Sequence, residues 1–245
     1  MKYNHIGNTT AGGRYYITVF QRGRLGNQMF QYAALFGTAC KNRALVPFIQ
    51  NTVSLIQNTF ETSLTLPVVN VSPSNFTVIR ENKPPDRMLE YLRYLPKSNV
   101  LLQGYFLSHK YFANVKHDVR KEFTFSRRIQ QEVREYYKNI SPIQWKKKRF
   151  ERVGIHVRRT DLIALCTRQN TGCTPTPRSY FTHAMDYFNK KYKNVQFIIA
   201  TDDKAWFKKN IIGTNVVISS HNYTMDLAIL TLSDHIIISI GTYSW

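Results

Sequence analysis

The chain has 245 residues, 43% of them hydrophobic, which is enough to bury a substantial core in one large domain or two small ones. Its 34 lysines and arginines against 15 aspartates and glutamates give a net charge of +19. Such a charge favours an anionic binding partner, which could be nucleic acid, a phosphate-bearing ligand or an acidic membrane surface. The alternative is that it reflects only a solvated basic surface. No run approaches the roughly 18 apolar residues of a membrane span, and the polar opening MKYNHIGNTTAGG is unlike a signal peptide.

The first 50 residues predict the opening of a βαβ motif. After a disordered tail over 1–14, the β-branched and aromatic residues 15–20 predict a strand, and 23–28 form a glycine-bearing loop. Apolar side chains at the helical period predict a helix over 29–42, and the run ALVPFI predicts the next strand. This order is typical of α/β folds.

Residues 51–98 are interrupted by Asn, Ser and Pro and define no clear element. Beyond them, 99–106 predict a strand that ends in an aromatic loop, and 126–139 predict a charged helix. The break at 139–149, which carries the basic cluster Lys146 to Arg149, predicts a domain boundary. The expected domains are 15–145 and 146–245.

The second half alternates strands and helices more regularly. The predicted strands are 152–157, 195–200, 215–219 and 235–240, and the predicted helices are 179–192, 204–210 and 225–233. Residues 162–178, rich in Cys, Thr, Gly and Pro, predict a loop, and Ser179 is the expected N-cap of the helix that follows. The alternation predicts a mainly parallel, doubly wound sheet.

Three cysteines are too few for a disulfide framework or a metal cluster. Cys40 is expected to be a packed thiol, whereas Cys166 and Cys173 either close a small loop in an oxidising compartment or stay free. Five Asn-X-Ser/Thr sequons favour a secretory-pathway lumen; they begin at Asn8, Asn70, Asn75, Asn139 and Asn222.

Polar side chains follow four of the predicted strands, and open α/β sheets bind ligands beyond the carboxyl ends of their strands. These side chains are Arg24, Asn27 and Gln28; His156, Arg158, Arg159 and Asp161; Thr201, Asp202 and Asp203; and Ser239, Thr242, Tyr243 and Ser244. Helix-start amides, guanidinium groups and hydroxyls hold phosphates, and a carboxylate can accept hydrogen bonds from a guanine edge. The set predicts a site for a nucleotide diphosphate.

Some of these residues also have purely structural interpretations. Asp202 and Asp203 are placed equally well to cap the next helix, and His156 within an apolar run is more typical of a core histidine. Asp226 is expected to be a helix-start residue favoured by the dipole. Arg158 differs, because an arginine on a strand buried on both faces needs a partner, and a phosphate is the obvious one.

The second half contains no Asp-X-Asp motif, no helical His pair four residues apart, and no glutamate after Glu151. These patterns predict no carboxylate-held metal, so arginine would have to neutralise a leaving diphosphate.

Five segments together resemble the α-1,2-fucosyltransferase family, glycosyltransferase family 11. They are GRLGNQMFQYA at 23–33, LQGYFLSHKYF at 102–112, GIHVRRTD at 154–161, IATDD at 199–203 and MDLAILTLSDHIIISIGTYSW at 225–245. The resemblance implies an α/β, GT-B-like fold of two Rossmann-like halves: an acceptor-side half over 15–145 and a GDP-fucose-binding half over 146–245. It also implies inverting transfer of L-fucose from GDP-fucose without metal or other cofactor.

By motif position, the resemblance assigns roles to individual residues. His156, Arg158 and Asp161 would contact or organise the donor, with Arg158 on the diphosphate and Asp202 or Asp203 on the guanine. The remaining expected donor contacts are Asn27 and Gln28 from the first loop and Ser239, Thr242 and Ser244 from the last segment. The general base stays open: Asp161 is a candidate but equally an orienting partner of Arg158, and His156 is a lesser candidate.

The family resemblance further implies a galactose-terminated glycan acceptor, a Golgi lumenal catalytic domain, and a membrane anchor outside this chain. The end at Trp245, where the family continues, suggests a truncated C-terminal half. The alternatives are an α-1,6- or protein O-fucosyltransferase-like enzyme, an inactive homologue that binds a sugar nucleotide, and, from another class, a basic nucleic-acid-binding protein. The scattered lysines and arginines weigh against nucleic acid, which needs a continuous basic stripe.

Overall fold

Two groups of parallel strands flanked by helices make up the chain, whose computed structural model describes residues 15–50, 54–60, 63–141, 150–169, 173–211, 213 and 215–245. The chain divides into two compact units, Met1–Ser126 (unit 1) and Arg127–Trp245 (unit 2). The expected α/β fold with mainly parallel sheets is confirmed. The tail over 1–14 and the cluster Lys146 to Arg149 lie outside the described residues.

Unit 1 is built around a four-stranded parallel sheet in the order β2-β1-β6-β5, with a small parallel pair β3-β4 beside it. Its elements are β1 (Tyr15–Val19), α1 (Leu25–Lys41), β2 (Leu45–Pro47), β3 (Ile49–Gln50), α2 (Leu55–Phe60), β4 (Val68–Val69), β5 (Thr77–Arg80), α3 (Pro85–Tyr91), β6 (Val100–Gln103) and α4 (Lys116–Glu122). The central strands β1 and β6 are apolar, and Ile17, Val19 and Leu102 are fully buried.

Unit 2 has a four-stranded parallel sheet in the order β10-β7-β8-β9. Its elements are α5 (Arg127–Ile140), β7 (Glu151–Val157), α6 (Thr160–Gln169), α7 (Arg178–Lys191), β8 (Val195–Thr201), α8 (Lys204–Asn210), β9 (Val216–Ile218), α9 (Tyr223–Thr231) and β10 (His235–Ile237). The two longest strands, β7 and β8, lie at the centre, and their continuous apolar runs are buried on both faces.

Helix α5 belongs with unit 2, so the boundary between units lies at 126/127 and differs from the predicted break at 139–149. The Tyr137 hydroxyl donates to the Ile229 carbonyl at 2.6 Å, and Gln196 Nε2 donates to the Ile140 carbonyl at 2.6 Å. These long-range bonds attach α5 to α9 and β8, which the charged sequence of the helix does not reveal.

Several local predictions are wrong. The predicted loop over 162–178 begins with helix α6, which buries Leu162 to 3% exposure, and Pro177 rather than Ser179 is the N-cap residue of α7. Helix α1 starts at Leu25, so residues 25–28 of the predicted glycine loop form its first turn. Cys40 is exposed rather than packed, whereas Cys166 and Cys173 form a disulfide.

Within the described residues, none of the helices combines the length and the apolarity that a membrane crossing requires.

Candidate functional site

The carboxyl ends of β10, β7 and β8 meet at one edge of the unit 2 sheet, because neighbouring strands there are parallel and in register. His156 lies near the end of β7, and Arg158 and Arg159 follow it directly. Ser239 to Ser244 follow β10, and Asp202 and Asp203 follow β8. The sheet therefore brings together eight residues predicted from the sequence: His156, Arg158, Asp161, Asp202, Asp203, Ser239, Thr242 and Ser244.

His156 is 7% exposed, and its Nδ1 lies 2.8 Å from the Ser244 hydroxyl oxygen and 3.5 Å from that of Ser239. Its ring lies 5.0 Å from the Tyr243 ring, centroid to centroid. Burial lowers the pKa of His156 to about 4; the Arg158 charge adds to the lowering and the Asp202 charge opposes it. The imidazole is therefore neutral at physiological pH and serves as a hydrogen-bonding group inside the site.

Arg158 and Asp161 form a two-point ion pair. The guanidinium donates from Nε to Asp161 Oδ1 at 3.2 Å and from Nη2 to Oδ2 at 2.8 Å, while its side chain remains 24% exposed. The hydrogen bond to Asp161 raises the pKa of Arg158, so the guanidinium keeps its charge. Asp161 sits in the first turn of α6, three residues beyond Arg158, which fixes the geometry of the pair.

Ser239 and Gly241 also lie against Arg158. The Arg158 backbone amide donates to the Ser239 hydroxyl at 3.3 Å. Gly241 has φ of +122°, which L side chains rarely adopt, and a Cβ placed there would lie 2.9 Å from Arg158 Nη1. Glycine is therefore needed both for the turn and for the close approach of the guanidinium. Nη1 is the one guanidinium nitrogen for which the described residues supply no acceptor.

Arg159 points into a different environment from its neighbour. Its guanidinium carbon lies 3.8 Å from the centroid of the Trp206 ring, and its Nε lies 3.7 Å from Asp203 Oδ2. Asp203 also caps α8 by accepting from the Trp206 backbone amide at 2.9 Å. The second arginine of the motif thus fixes the exit of β8 against α8.

Both predicted guanine carboxylates are used inside the protein. Asp202 accepts from the Arg159 backbone amide through Oδ1 at 2.8 Å and from the Thr160 hydroxyl through Oδ2 at 2.6 Å, which caps α6. Asp203 has the two partners described above. The prediction that these residues cap the next helix is therefore confirmed for Asp203, whereas Asp202 bonds the start of α6, which precedes it in the chain.

Asn27 and Gln28 lie in unit 1, in the first turns of α1. Gln28 is 6% exposed, and its amide accepts from the Leu55 backbone amide at 2.8 Å and donates to the Gly23 carbonyl at 3.2 Å. This side chain fixes the start of α2 against the glycine loop rather than facing outward. The Asn27 side chain folds over Gly23, whose φ of +81° forms the turn.

Asp226, interpreted from the sequence as a dipole-favoured helix residue, lies beside the exit of β9. It lies in the first turn of α9 and accepts a hydrogen bond from the Ser219 hydroxyl, just beyond β9. Burial raises the pKa of Asp226, and burial together with the Asp226 charge raises the pKa of Tyr243, whose ring contacts His156. The signal was available in the polar residues after β9, the one strand of the unit 2 sheet whose exit was left out of the predicted set.

The described residues contain no group of three or more His, Cys, Asp or Glu side chains placed to hold a metal ion. Arg158 brings a cationic guanidinium to this sheet edge, where its backbone amide donates to the Ser239 hydroxyl and His156 lies beside the Ser244 hydroxyl. Chemically this edge can bind an anionic group through one guanidinium and can hydrogen-bond polar groups through hydroxyls and a neutral imidazole.

Two crystal structures share the fold. NodZ, an alpha-1,6-fucosyltransferase co-crystallised with GDP, superposes with a TM-score of 0.58 at 14% identity, covering 96% of this chain and 91% of NodZ. POFUT1 in complex with GDP-fucose gives a TM-score of 0.60 at 12% identity, covering 95% and 93% of the two chains. At these identities the likeness establishes the fold alone, including its GT-B type.

Curated relatives are closer in sequence. The chain is 28% identical over 235 residues to the galactoside 2-alpha-L-fucosyltransferase SEC1 of Bos taurus and 29% identical to the galactoside alpha-(1,2)-fucosyltransferase 2 of Hylobates lar. Each alignment covers 92% of this chain, which spans 62% and 66% of the two relatives. The sequence profile of Glycosyl transferase family 11 matches residues 5–245. The chain, with its paired arginines at a strand exit, belongs to glycosyltransferase family 11.

Proposed function

We propose that the protein is an inverting glycosyltransferase that moves L-fucose from GDP-fucose to the 2-hydroxyl of a galactose at the end of a glycan. The observation that carries this proposal is the Arg158 guanidinium, held by Asp161 and Gly241 at the carboxyl edge of a parallel sheet with Nη1 free to meet an anion. We propose the α-1,2 linkage because the relatives in the family are named galactoside α-1,2-fucosyltransferases. GDP and GDP-fucose are the ligands named for NodZ and POFUT1.

Arg158 is the group expected to lower the barrier. As the bond between fucose and the diphosphate breaks, negative charge grows on the diphosphate, and a fixed guanidinium stabilises it more than it stabilises the intact donor. Asp161 orients that guanidinium through two hydrogen bonds, and Gly241 lets it lie close to the backbone. The site therefore supplies charge stabilisation through a fixed guanidinium.

Neither residue considered as a general base suits that role in this geometry. Asp161 uses both carboxylate oxygens on Arg158, and His156 has a pKa lowered to about 4, far from the neutral range that favours a base. We propose that Asp161 and His156 position the site. The acceptor hydroxyl then gives its proton to solvent water late, after fucose has developed oxocarbenium character and the C–O bond to the acceptor is forming.

Asp226 is the carboxylate that we propose reads the guanine, in place of Asp202 and Asp203. Its Oδ1 accepts from Ser219, which leaves Oδ2 to accept from the guanine N–H groups. Asp226→Asn is expected to weaken GDP binding at least tenfold and to change ADP binding by less than threefold, as measured by isothermal titration calorimetry.

Asp234→Asn is the matched control, since Asp234 bonds the Arg152 amide at the other end of β7. Loss of GDP selectivity in Asp202→Asn or Asp203→Asn, with Asp226→Asn behaving like the unmodified protein, would move the guanine contact back to the exit of β8.

Nucleotide selectivity followed by transfer tests the proposed function. GDP at a hundred times its Kd is expected to stabilise the protein by about 2.7 kcal/mol, equally with and without EDTA, while ADP and UDP stabilise it far less. Incubation with GDP-fucose and lactose should then give fucosylated lactose. No preference for GDP would exclude the donor. GDP binding without transfer to any galactoside would identify a homologue that binds a sugar nucleotide but does not turn over.

We also propose that the protein acts in the Golgi lumen. The Cys166–Cys173 disulfide suits an oxidising compartment. The four sequon asparagines within the described residues, Asn70, Asn75, Asn139 and Asn222, are all exposed. Expression through a secretory pathway should give a protein that loses mass on treatment with an N-glycanase; an unmodified protein from that pathway would remove this support.

A further inference from the structure

The carboxyl edge of the unit 1 sheet exposes a small apolar surface. Strands β1 and β6 end side by side there, with Val19 opposite Leu102. Beyond their ends Phe20 is 44% exposed, Tyr105 38% and Leu107 39%. These large apolar side chains are exposed at the edge where parallel sheets bind ligands.

The loop that presents Tyr105 is held in a strained conformation. Phe106 has φ of +52°, unusual for a residue with a side chain, and its ring is fully buried against Tyr111. Glu81 fixes this loop by accepting from the backbone amides of Tyr105 at 2.9 Å and Phe106 at 2.6 Å, and from the Tyr111 hydroxyl at 2.9 Å. Such strain persists only where the surroundings over-determine it, and it is concentrated at ligand sites.

The Tyr105 ring is itself pre-positioned. The Arg22 guanidinium carbon lies 4.2 Å from the centroid of the ring and covers one of its faces. Gln31, fully buried in α1, accepts from the Arg22 backbone amide at 3.0 Å and donates to the Gly104 carbonyl at 3.0 Å. One amide therefore joins the two strand exits, so little side-chain freedom remains to be lost when a ligand stacks on Tyr105.

Gln21 adds a polar group that lacks a partner. Both its Nε2 and its Oε1 are shielded from solvent, and neither meets a hydrogen-bond partner among the described residues. Buried amides are nearly always hydrogen-bonded, so an unsatisfied one points to a polar group that the described chain does not supply. Gln21 directly precedes Arg22, at the same edge of the sheet.

We propose that Tyr105, backed by Arg22 and accompanied by Gln21, forms the subsite for the neutral hexose that accepts fucose; this inference rests on the proposed function. The C–H face of a pyranose ring is apolar and packs on an aromatic face. An amide that both donates and accepts complements sugar hydroxyls, which do the same. Glu81 is already occupied by three donors, so the subsite presents no free carboxylate to a cation.

The main test compares Tyr105→Ala with Tyr94→Ala, which removes a ring that is 80% exposed in the same unit. Lactose is the probe, used in transfer kinetics and in saturation-transfer NMR with GDP present. Tyr105→Ala is expected to raise the KM for lactose at least tenfold and to abolish the NMR signal of bound lactose. Tyr94→Ala should stay within twofold of the unmodified protein, Tyr105→Phe should restore most of the lactose affinity that Tyr105→Ala loses, and GDP affinity should not change in any of them.

Gln21→Leu gives a second, independent readout. If the amide bonds the acceptor, the variant raises the KM for lactose severalfold while kcat at saturating lactose changes by less than twofold. If the amide has no ligand, the variant raises the Tm and leaves the KM unchanged, which counts against the subsite.

The outcomes separate this subsite from the proposed function. Binding of lactose to the unmodified protein but not to Tyr105→Ala, without any transfer, would uphold the subsite and remove the proposed reaction. Transfer with an unchanged lactose KM in Tyr105→Ala, an equal loss of GDP affinity in that variant, or no lactose binding to the unmodified protein would overturn the subsite.

Discussion

Arg158→Ala is expected to lower kcat/KM for fucose transfer about a hundredfold, equivalent to about 3 kcal/mol of transition-state stabilisation. The physical reason is that Nη1 has no acceptor among the described residues, whereas Nε and Nη2 are fixed by Asp161. Because Asp161 fixes the guanidinium, the side chain does not need to reorient when the diphosphate becomes more negative in the transition state. Steady-state kinetics with GDP-fucose and lactose measure the effect.

Arg158→Lys is the informative companion variant. A lysine keeps the charge but cannot hold the two-point pair with Asp161 while also presenting a third nitrogen, so it should recover less than a tenth of the lost rate. Arg159→Lys serves as the control, because Arg159 stacks on Trp206 and its loss should lower stability more than kcat. A kcat/KM within threefold of the unmodified value in Arg158→Ala would refute the assignment.

Unit 2 is expected to lose about 3 kcal/mol of stability through His156 as the pH falls from about 6.5 to about 4. The folded-state pKa of His156 is about 4, below its ordinary value of 6.5, so the unfolded chain binds the additional proton between those two pH values. The contribution of neutral His156 is therefore complete above pH 6.5 and declines towards pH 4. Burial and the neighbouring Arg158 charge disfavour protonated His156 in the folded state, which is why its pKa is lowered.

His156→Gln isolates this effect from the carboxylates that also titrate in acid. Glutamine keeps a hydrogen-bonding group near Ser244 but takes up no proton. Urea unfolding of the two proteins at several pH values should show the unmodified protein more stable at pH 7 and the difference shrinking by about 3 kcal/mol by pH 4. Two parallel stability curves would show that His156 does not titrate as its burial requires.

The placement of the site could be predicted because it follows from topology. Continuous apolar runs such as 153–157 and 195–200 are typical of buried parallel strands, and parallel strands end at one edge. That rule alone brings His156 and Arg158 together with Ser239 and Ser244. It does not need knowledge of any individual side-chain contact.

The partners of each side chain could not be predicted in the same way. Asp202 caps α6 because a helix starts at Thr160, in a stretch whose Cys, Thr and Gly predicted a loop. Gln28 turns inward because the start of α2, 27 residues away in sequence, needs an acceptor. Asp226 accepts a hydrogen bond from Ser219, and its charge raises the pKa of Tyr243; its sequence position in a helix shows neither interaction. Donor contact by Asn27 stays a prediction.

The Glu81 hydrogen bonds have a practical meaning for engineering. The Glu81 carboxylate holds the loop by accepting hydrogen bonds from the backbone amides of Tyr105 and Phe106. The side chains at 105 and 107 can therefore vary without removing these backbone hydrogen bonds. Libraries intended to vary the proposed acceptor subsite would therefore randomise those two positions and leave Glu81 and Gln31 untouched.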